Sequence, residues 1–195
     1  MLSSMNRANL TLPNLLTAAR LVLVPFVVWS LAENDIETAF WLFAAAALTD
    51  FLDGNLARLL NQRSVLGAWL DPIADKAMLL STLMMLAWLN ILPLWLAALV
   101  ALRDVVVLLG AAAYRSLTGG LEVAPTLWGK AATAAEFVLV SLALADLALG
   151  WGVDFLHHVV NLTGLLVCIS GLHYVWLWSA KTRAWRAARS GVDGA

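Results

Sequence analysis

Apolar residues occupy the chain in six long blocks, near 14–32, 38–60, 69–90, 93–115, 127–149 and 155–180, each closed by a short polar or helix-breaking stretch. An α-helix needs about 20 mostly apolar residues to cross a bilayer, and every block is near that length. The interruptions have local causes. Glu33-Asn34-Asp35 and Asn61-Gln62-Arg63-Ser64 are polar, and Asn90-Ile91-Leu92-Pro93 puts Pro93 where the first turn of a new helix tolerates it. Thr118-Gly119-Gly120 through Pro125 is the longest connection, and Gly150-Trp151-Gly152 is the last. The pattern predicts an all-α integral membrane protein, a bundle of six transmembrane helices.

Composition supports that class. Hydrophobic residues make up 62% of the chain and charged residues 13%, against about half and about a quarter in soluble domains. No fixed-period repeat or low-complexity tract divides the chain, so residues 1–195 are expected to form a single membrane domain. A formal net charge of -1 gives no reason to expect nucleic acid as a partner. The single Cys168 excludes an intramolecular disulfide and, lying in an apolar stretch, is expected to pack between helices. The apolar stretch from Leu15 is too long for a cleavable signal peptide, and no small-residue cleavage site follows it.

Charge sets the orientation. Arg7, Arg58, Arg63, Arg115, Lys130, Lys181, Arg183, Arg186 and Arg189 fall at ends or loops that an even number of spans places on the N-terminal side. Glu33, Asp35, Glu37, Asp146 and Asp154 occupy the opposite side, which carries no Lys or Arg. By the positive-inside rule both termini are cytoplasmic. The basic tail 181–195 is read as a topology anchor touching anionic lipid. Ten Trp residues mark interfacial belts, and none is assigned to nucleotide stacking.

Against this background Asp50, Asp53, Asp71 and Asp75 stand out. Carboxylates at membrane depth are costly, and several brought together repel one another unless protonated or bridged by cations. Residues three or four apart share a helix face, so Asp50 and Asp53 point one way from one helix and Asp71 and Asp75 one way from the next. Gly54 and Gly67 remove side chains where a ligand or partner helix must approach backbone. A lone intramembrane Asp is more often a satisfied polar contact, but this grouping points to a divalent metal. All-oxygen ligands favour Mg2+ or Mn2+ over zinc.

The pattern Asp-x2-Asp-Gly-x2-Ala-Arg-x8-Gly-x3-Asp-x3-Asp, filled at every fixed position by Asp50, Asp53, Gly54, Ala57, Arg58, Gly67, Asp71 and Asp75, resembles the signature of the CDP-alcohol phosphatidyltransferase family. The likeness extends to Leu12-Pro13-Asn14-Leu15-Leu16-Thr17 through Arg20, to Arg103-Asp104-Val105 and to Gly129-Lys130. It implies a transferase of phospholipid biosynthesis that passes the phosphatidyl group of CDP-diacylglycerol to an alcohol and releases CMP. It implies one or two metal ions on Asp50, Asp53, Asp71 and Asp75, with Asp75 as general base. Asn14, Thr17, Asp53, Gly54, Ala57, Arg58 and Gly67 would seat the CDP-lipid; Arg58 alternatively snorkels to the interface. The resemblance further suggests a homodimer, a short interfacial helix over Met1 to Pro13, which is otherwise as readable as a disordered start, and an active site facing the cytoplasm of a bacterial inner membrane.

The acceptor is read from a departure. Members of the family that use glycerol-3-phosphate typically carry a second Arg eight residues after the position of Arg103, where this chain has Ala111. Arg103-Asp104-Val105, Tyr114-Arg115 and Pro125-Thr126 shortly before Lys130 instead resemble its cardiolipin synthase branch. Arg103, Arg115 and Lys130 are then the candidate acceptor-binding cations, with phosphatidylglycerol favoured over glycerol-3-phosphate as the less charged acceptor. Arg103 has a second reading, as the ion-pair partner of Asp104 or another acid inside the bundle. His157, His158 and His173 are read as packing or interface residues. A cation transporter or channel is the alternative from another class, disfavoured because the acids gather toward one side and no polar path continues through the other spans.

Overall fold

A computed structural model describes residues 12–60, 65–118, 126–152 and 154–192, with side chains described over 16–50, 73–116, 126–152 and 154–183. The segment 1–11, where the interfacial helix is expected, lies outside these residues. Among the described residues six helices follow in order: α1 Leu12–Ala32, α2 Ile36–Leu60, α3 Val65–Trp88, α4 Leu94–Thr118, α5 Leu127–Leu149 and α6 Leu156–Val192. They coincide with the six apolar blocks to within a few residues, except at the end of α6. That helix runs 37 residues, about 55 Å at 1.5 Å per residue. It continues past residue 180 because the basic tail is rich in Ala, Arg and Lys, which favour helix, and meets no glycine before Gly191.

The breaks are built by conformation as well as polarity. Asn34 closes α1 in the left-handed region at φ 61°; its N–H bonds the Leu31 carbonyl at 3.1 Å, and the Asp35 N–H reaches the Ser30 carbonyl at 2.8 Å. This bond pair satisfies carbonyls that the helix end would otherwise orphan. Asp35 then opens α2, its Oδ1 accepting the Thr38 N–H at 3.2 Å. Asn90, at φ 60°, closes α3 the same way, through Asn90 to Ala87 at 3.1 Å and Ile91 to Leu86 at 2.9 Å. Asparagine tolerates this region better than other residues with a Cβ.

The chain divides into two compact units, Met1–Pro93 with Val140–Asp154 and Leu94–Leu139 with Phe155–Ala195, so that α5 contributes to both. In the first unit α1 packs on α2 and on α3. Its buried residues recur at helical spacing: Val27 and Leu31 on α1, Ala39, Phe43 and Ala46 on α2, Ala74 and Met78 on α3. The alanines let helix backbones approach closely. In the second unit α4 packs on α6. Leu96, Val100 and Arg103 form the buried stripe of α4, and Thr163, Val167, Ser170, Tyr174 and Trp178 that of α6. The α4 stripe turns from apolar to charged at Arg103, and the α6 stripe carries Ser170 and Tyr174 beside it, which places a charged cluster inside this unit.

Away from the buried stripes the surface is apolar, with Val22, Phe26, Leu48, Leu102, Leu108, Leu109, Leu165 and Leu172 all exposed. Water-soluble proteins rarely expose so many large apolar side chains; lipid is the natural solvent of such side chains. Three helices are long and apolar enough to span a bilayer: Leu94–Ser116, Leu127–Leu149 and Leu156–Arg183. The apolar run of α1, Leu16–Ala32, is shorter, and α2 and α3 carry the aspartates. The chain is therefore an all-helical membrane protein with three long apolar spans among the described residues. Cys168, expected between helices, instead faces outward from α6.

Candidate active site

Thr17 and Arg20 lie one turn apart on α1, and both are buried, Arg20 with only 2% of its surface exposed. A guanidinium in such a place requires acidic partners. It has them on two other helices: Arg20 Nη2 donates to Asp50 Oδ1 of α2 at 2.8 Å, and Nη1 donates to Asp75 Oδ1 of α3. Neighbouring nitrogens of one planar group therefore engage carboxylates that stand far apart in the chain, a fork geometry that Arg alone supplies. Both carboxylates keep about half of their surface open, 49% for Asp50 and 48% for Asp75. On α3 the buried Ala74 and Met78 fix the turn that carries Asp75, and Thr82 returns its hydroxyl to the Met78 carbonyl at 2.7 Å.

The residues present suit a hard divalent cation. Asp50 and Asp75 bring oxygen donors from two helices to one place, each about half exposed, and such an ion prefers oxygen ligands. The side chains of Asn14, Asp53, Gly54, Ala57, Arg58, Gly67 and Asp71 lie outside those described, although each position is helical. Among the described residues no three acidic, His or Cys side chains gather as a ligand set. In the sequence Arg20 stood only at the end of the Leu12-to-Arg20 likeness, with no chemical role of its own. The available signal was its position as the lone cation in the first apolar block, with no acid inside that block to pair with it.

The cations expected to bind the acceptor lie in the second unit. Arg103 is buried, with 6% exposed, beside an equally buried Asp104 at 7%. Its Nη1 donates to Asp104 Oδ1 at 2.8 Å, Nε and Nη2 donate to Ser170 Oγ at 3.2 and 3.0 Å, and Nη2 donates to the Gly129 carbonyl at 3.3 Å. The Tyr174 ring lies 5.7 Å from its guanidinium carbon. Gly129 is a glycine for a spatial reason: a Cβ there would meet the Tyr174 hydroxyl at 2.9 Å. That hydroxyl accepts the Thr126 N–H at 3.3 Å, while Thr126 Oγ1 accepts the Gly129 N–H at 3.1 Å and so caps α5. Arg103 and the Gly129-Lys130 segment are thus brought together. Arg115 stands twelve residues further along α4, about 18 Å along the axis. Both Arg115 and Lys130 are exposed.

Near Arg115, Lys181 Nζ lies 5.5 Å from the Tyr114 ring and 5.8 Å from the Trp178 ring. His157 and His158 stack on each other at 3.8 Å between ring centroids, and His173 packs against Tyr174 and Trp176. These contacts accord with packing roles for the histidines.

Comparison with known proteins bears on the whole of this arrangement. A family model described as CDP-alcohol phosphatidyltransferase matches residues 10–180. A Drosophila melanogaster protein named probable cardiolipin synthase (CMP-forming) is 35% identical over 190 residues, covering 85% of this chain and 57% of that protein. A Streptomyces coelicolor protein named cardiolipin synthase (CMP-forming) is 42% identical over 105 residues, covering 51% of this chain and 49% of its own length. A Mycobacterium tuberculosis protein named putative cardiolipin synthase is 33% identical over 174 residues, covering 87% of this chain and 79% of its own length. The chain spans about half the length of the first two relatives.

Proposed function

The chain belongs to the CDP-alcohol phosphatidyltransferase family, and from that premise we propose that it transfers the phosphatidyl group of CDP-diacylglycerol to phosphatidylglycerol, yielding cardiolipin and CMP. The observation that carries this reading is the Arg20 fork, which holds the first and last carboxylates of the signature, Asp50 and Asp75, at one place on two helices. An Mg2+ or Mn2+ ion held by Asp50, Asp53, Asp71 and Asp75 would supply charge neutralisation for the pyrophosphate. Asp75 takes the proton of the acceptor hydroxyl as its oxygen bonds to the lipid-linked phosphorus. The bond from that phosphorus to the bridging oxygen breaks, and its electron pair leaves with CMP. Asn14, Thr17, Gly54, Ala57, Arg58 and Gly67 seat the cytidine diphosphate.

For the acceptor phosphate, Arg115 and Lys130 offer exposed charge, while Arg103 holds the Gly129-Lys130 segment from beneath. The names of the relatives support phosphatidylglycerol as acceptor. Six spans with both termini and the carboxylates toward the cytoplasm, in a bacterial inner membrane, give the soluble nucleotide access from water and the acyl chains access from lipid. A homodimer with one site per protomer completes the assembly. The test is purified protein with CDP-diacylglycerol, Mg2+ or Mn2+, and phosphatidylglycerol or glycerol-3-phosphate in parallel, reading lipid products by mass. Cardiolipin is the expected product; phosphatidylglycerophosphate alone would overturn the acceptor and leave the donor in place.

A further inference from the structure

We propose that Arg20 is a built-in cation of the carboxylate centre, a positioning residue that holds Asp50 and Asp75 together and competes with the divalent ion for them. The inference rests on the metal-centre reading given above and goes beyond it, because it assigns a function to a residue outside the signature.

The geometry supports it at three points. Arg20 is almost fully buried on α1, and its fork engages one oxygen of each carboxylate. Asp50 and Asp75 belong to different helices and would repel each other without a cation between them. About half of each carboxylate's surface is exposed, which gives a second cation access to them from solvent. A fixed positive charge bonded to the same carboxylates lowers their attraction for that second cation. By reciprocity, a bound divalent ion weakens the hold of Arg20 by the same factor. Arg20 thus does two separable things: its fork sets the spacing of the carboxylates, and its charge sets how weakly they bind metal. The first needs a guanidinium, whereas the second needs only a positive charge.

That separation dictates the experiment. Mn2+ binding to the purified protein in detergent is read from the free-ion electron paramagnetic resonance signal, with turnover measured in parallel. Arg20→Gln should bind Mn2+ on the order of tenfold more tightly than wild type, within the usual range of coupling between sites, and should turn over more slowly. Arg20→Lys should keep Mn2+ affinity within about threefold of wild type, because the charge remains, yet share the loss of kcat, because the fork is gone. Unchanged or weaker Mn2+ binding in Arg20→Gln, with Asp50→Asn abolishing it, would overturn the proposal and leave the metal centre standing. Absence of any Mn2+ site in wild type would remove both. If Arg20→Gln does not fold, Arg20→Gln/Asp75→Asn compared with Asp75→Asn carries the same test, since Asp50 remains to report the competition. Tighter Mn2+ binding in the double variant supports the inference, and equal or weaker binding overturns it.

Discussion

Replacing Arg103 with Met tests whether that side chain serves the substrate or the fold. Met keeps an unbranched apolar stem and removes the charge and every donor. Arg103 gives one short bond to a buried carboxylate, at 2.8 Å, and three longer ones to Ser170 and the Gly129 carbonyl at 3.0 to 3.3 Å. Taken singly, the three longer bonds are worth about 1 kcal/mol each and are not additive. The larger effect comes from Asp104, left buried without its guanidinium, for which breaking such a pair costs roughly 3 to 5 kcal/mol. Polar contacts between membrane helices are often weaker than this, because the unfolded chain in lipid finds other partners. The present pair is ionic and nearly excluded from solvent, so the ionic value governs. The expected result is a loss of about 3 to 5 kcal/mol in equilibrium unfolding from mixed micelles, with part of it recovered when Asp104→Asn is added. Stability within about 1 kcal/mol of wild type, together with a raised KM for phosphatidylglycerol alone, would refute this and return Arg103 to the acceptor site.

Other substitutions separate the remaining roles. Asp50→Asn, Asp53→Asn and Asp71→Asn should each abolish turnover and metal-dependent CDP-lipid binding, whereas Asp75→Asn should spare nucleotide binding more than catalysis; equilibrium binding beside kcat distinguishes them. Neutralising the exposed Arg115 or Lys130 should raise the acceptor KM roughly tenfold to a hundredfold, with a much smaller change for CDP-diacylglycerol, as steady-state kinetics with each substrate varied will report. Gly129→Ala should destabilise the second unit by about 1 to 3 kcal/mol, because its Cβ meets the Tyr174 hydroxyl at 2.9 Å; thermal melts should show partial relief in Gly129→Ala/Tyr174→Phe.

The six helices among the described residues were legible because each is written as an apolar block near spanning length, closed by polar or helix-breaking residues. Even so, hydropathy did not reveal how the breaks are made. Asn34 and Asn90 interrupt the apolar pattern as polar residues, yet their work is conformational, closing helices at φ 61° and 60°. The overrun of α6 was hidden for a related reason: charge ends an apolar block without ending a helix, and an Ala- and Arg-rich tail continues as helix to Val192. At the candidate site, spacing places Asp50 with Asp53 and Asp71 with Asp75 on single helices, and of these four side chains only Asp50 and Asp75 lie among those described. That carboxylates from α2 and α3 share one cation was also expected, but the cation found between Asp50 and Asp75 is Arg20, and nothing within either helix encodes the position of α1.

Arg20 and Arg103, both buried among the described residues, make the distinction sharp. Both sit inside apolar blocks, and both therefore need partners. Arg103 has an acid beside it, so the ion pair with Asp104 was readable as one of two alternatives. Arg20 has no acid in its helix, and its partners lie on α2 and α3, the latter 55 residues away. That very lack carries information. A membrane helix with a single Arg and no acid of its own must borrow one from elsewhere in the fold, and in this chain the densest source of intramembrane acids is the aspartate segment. The same electrostatic argument that made four clustered aspartates improbable without a cation made a solitary arginine improbable without an anion. Applied together, the two halves of that argument join α1 to α2 and α3, the two packings observed within the first unit.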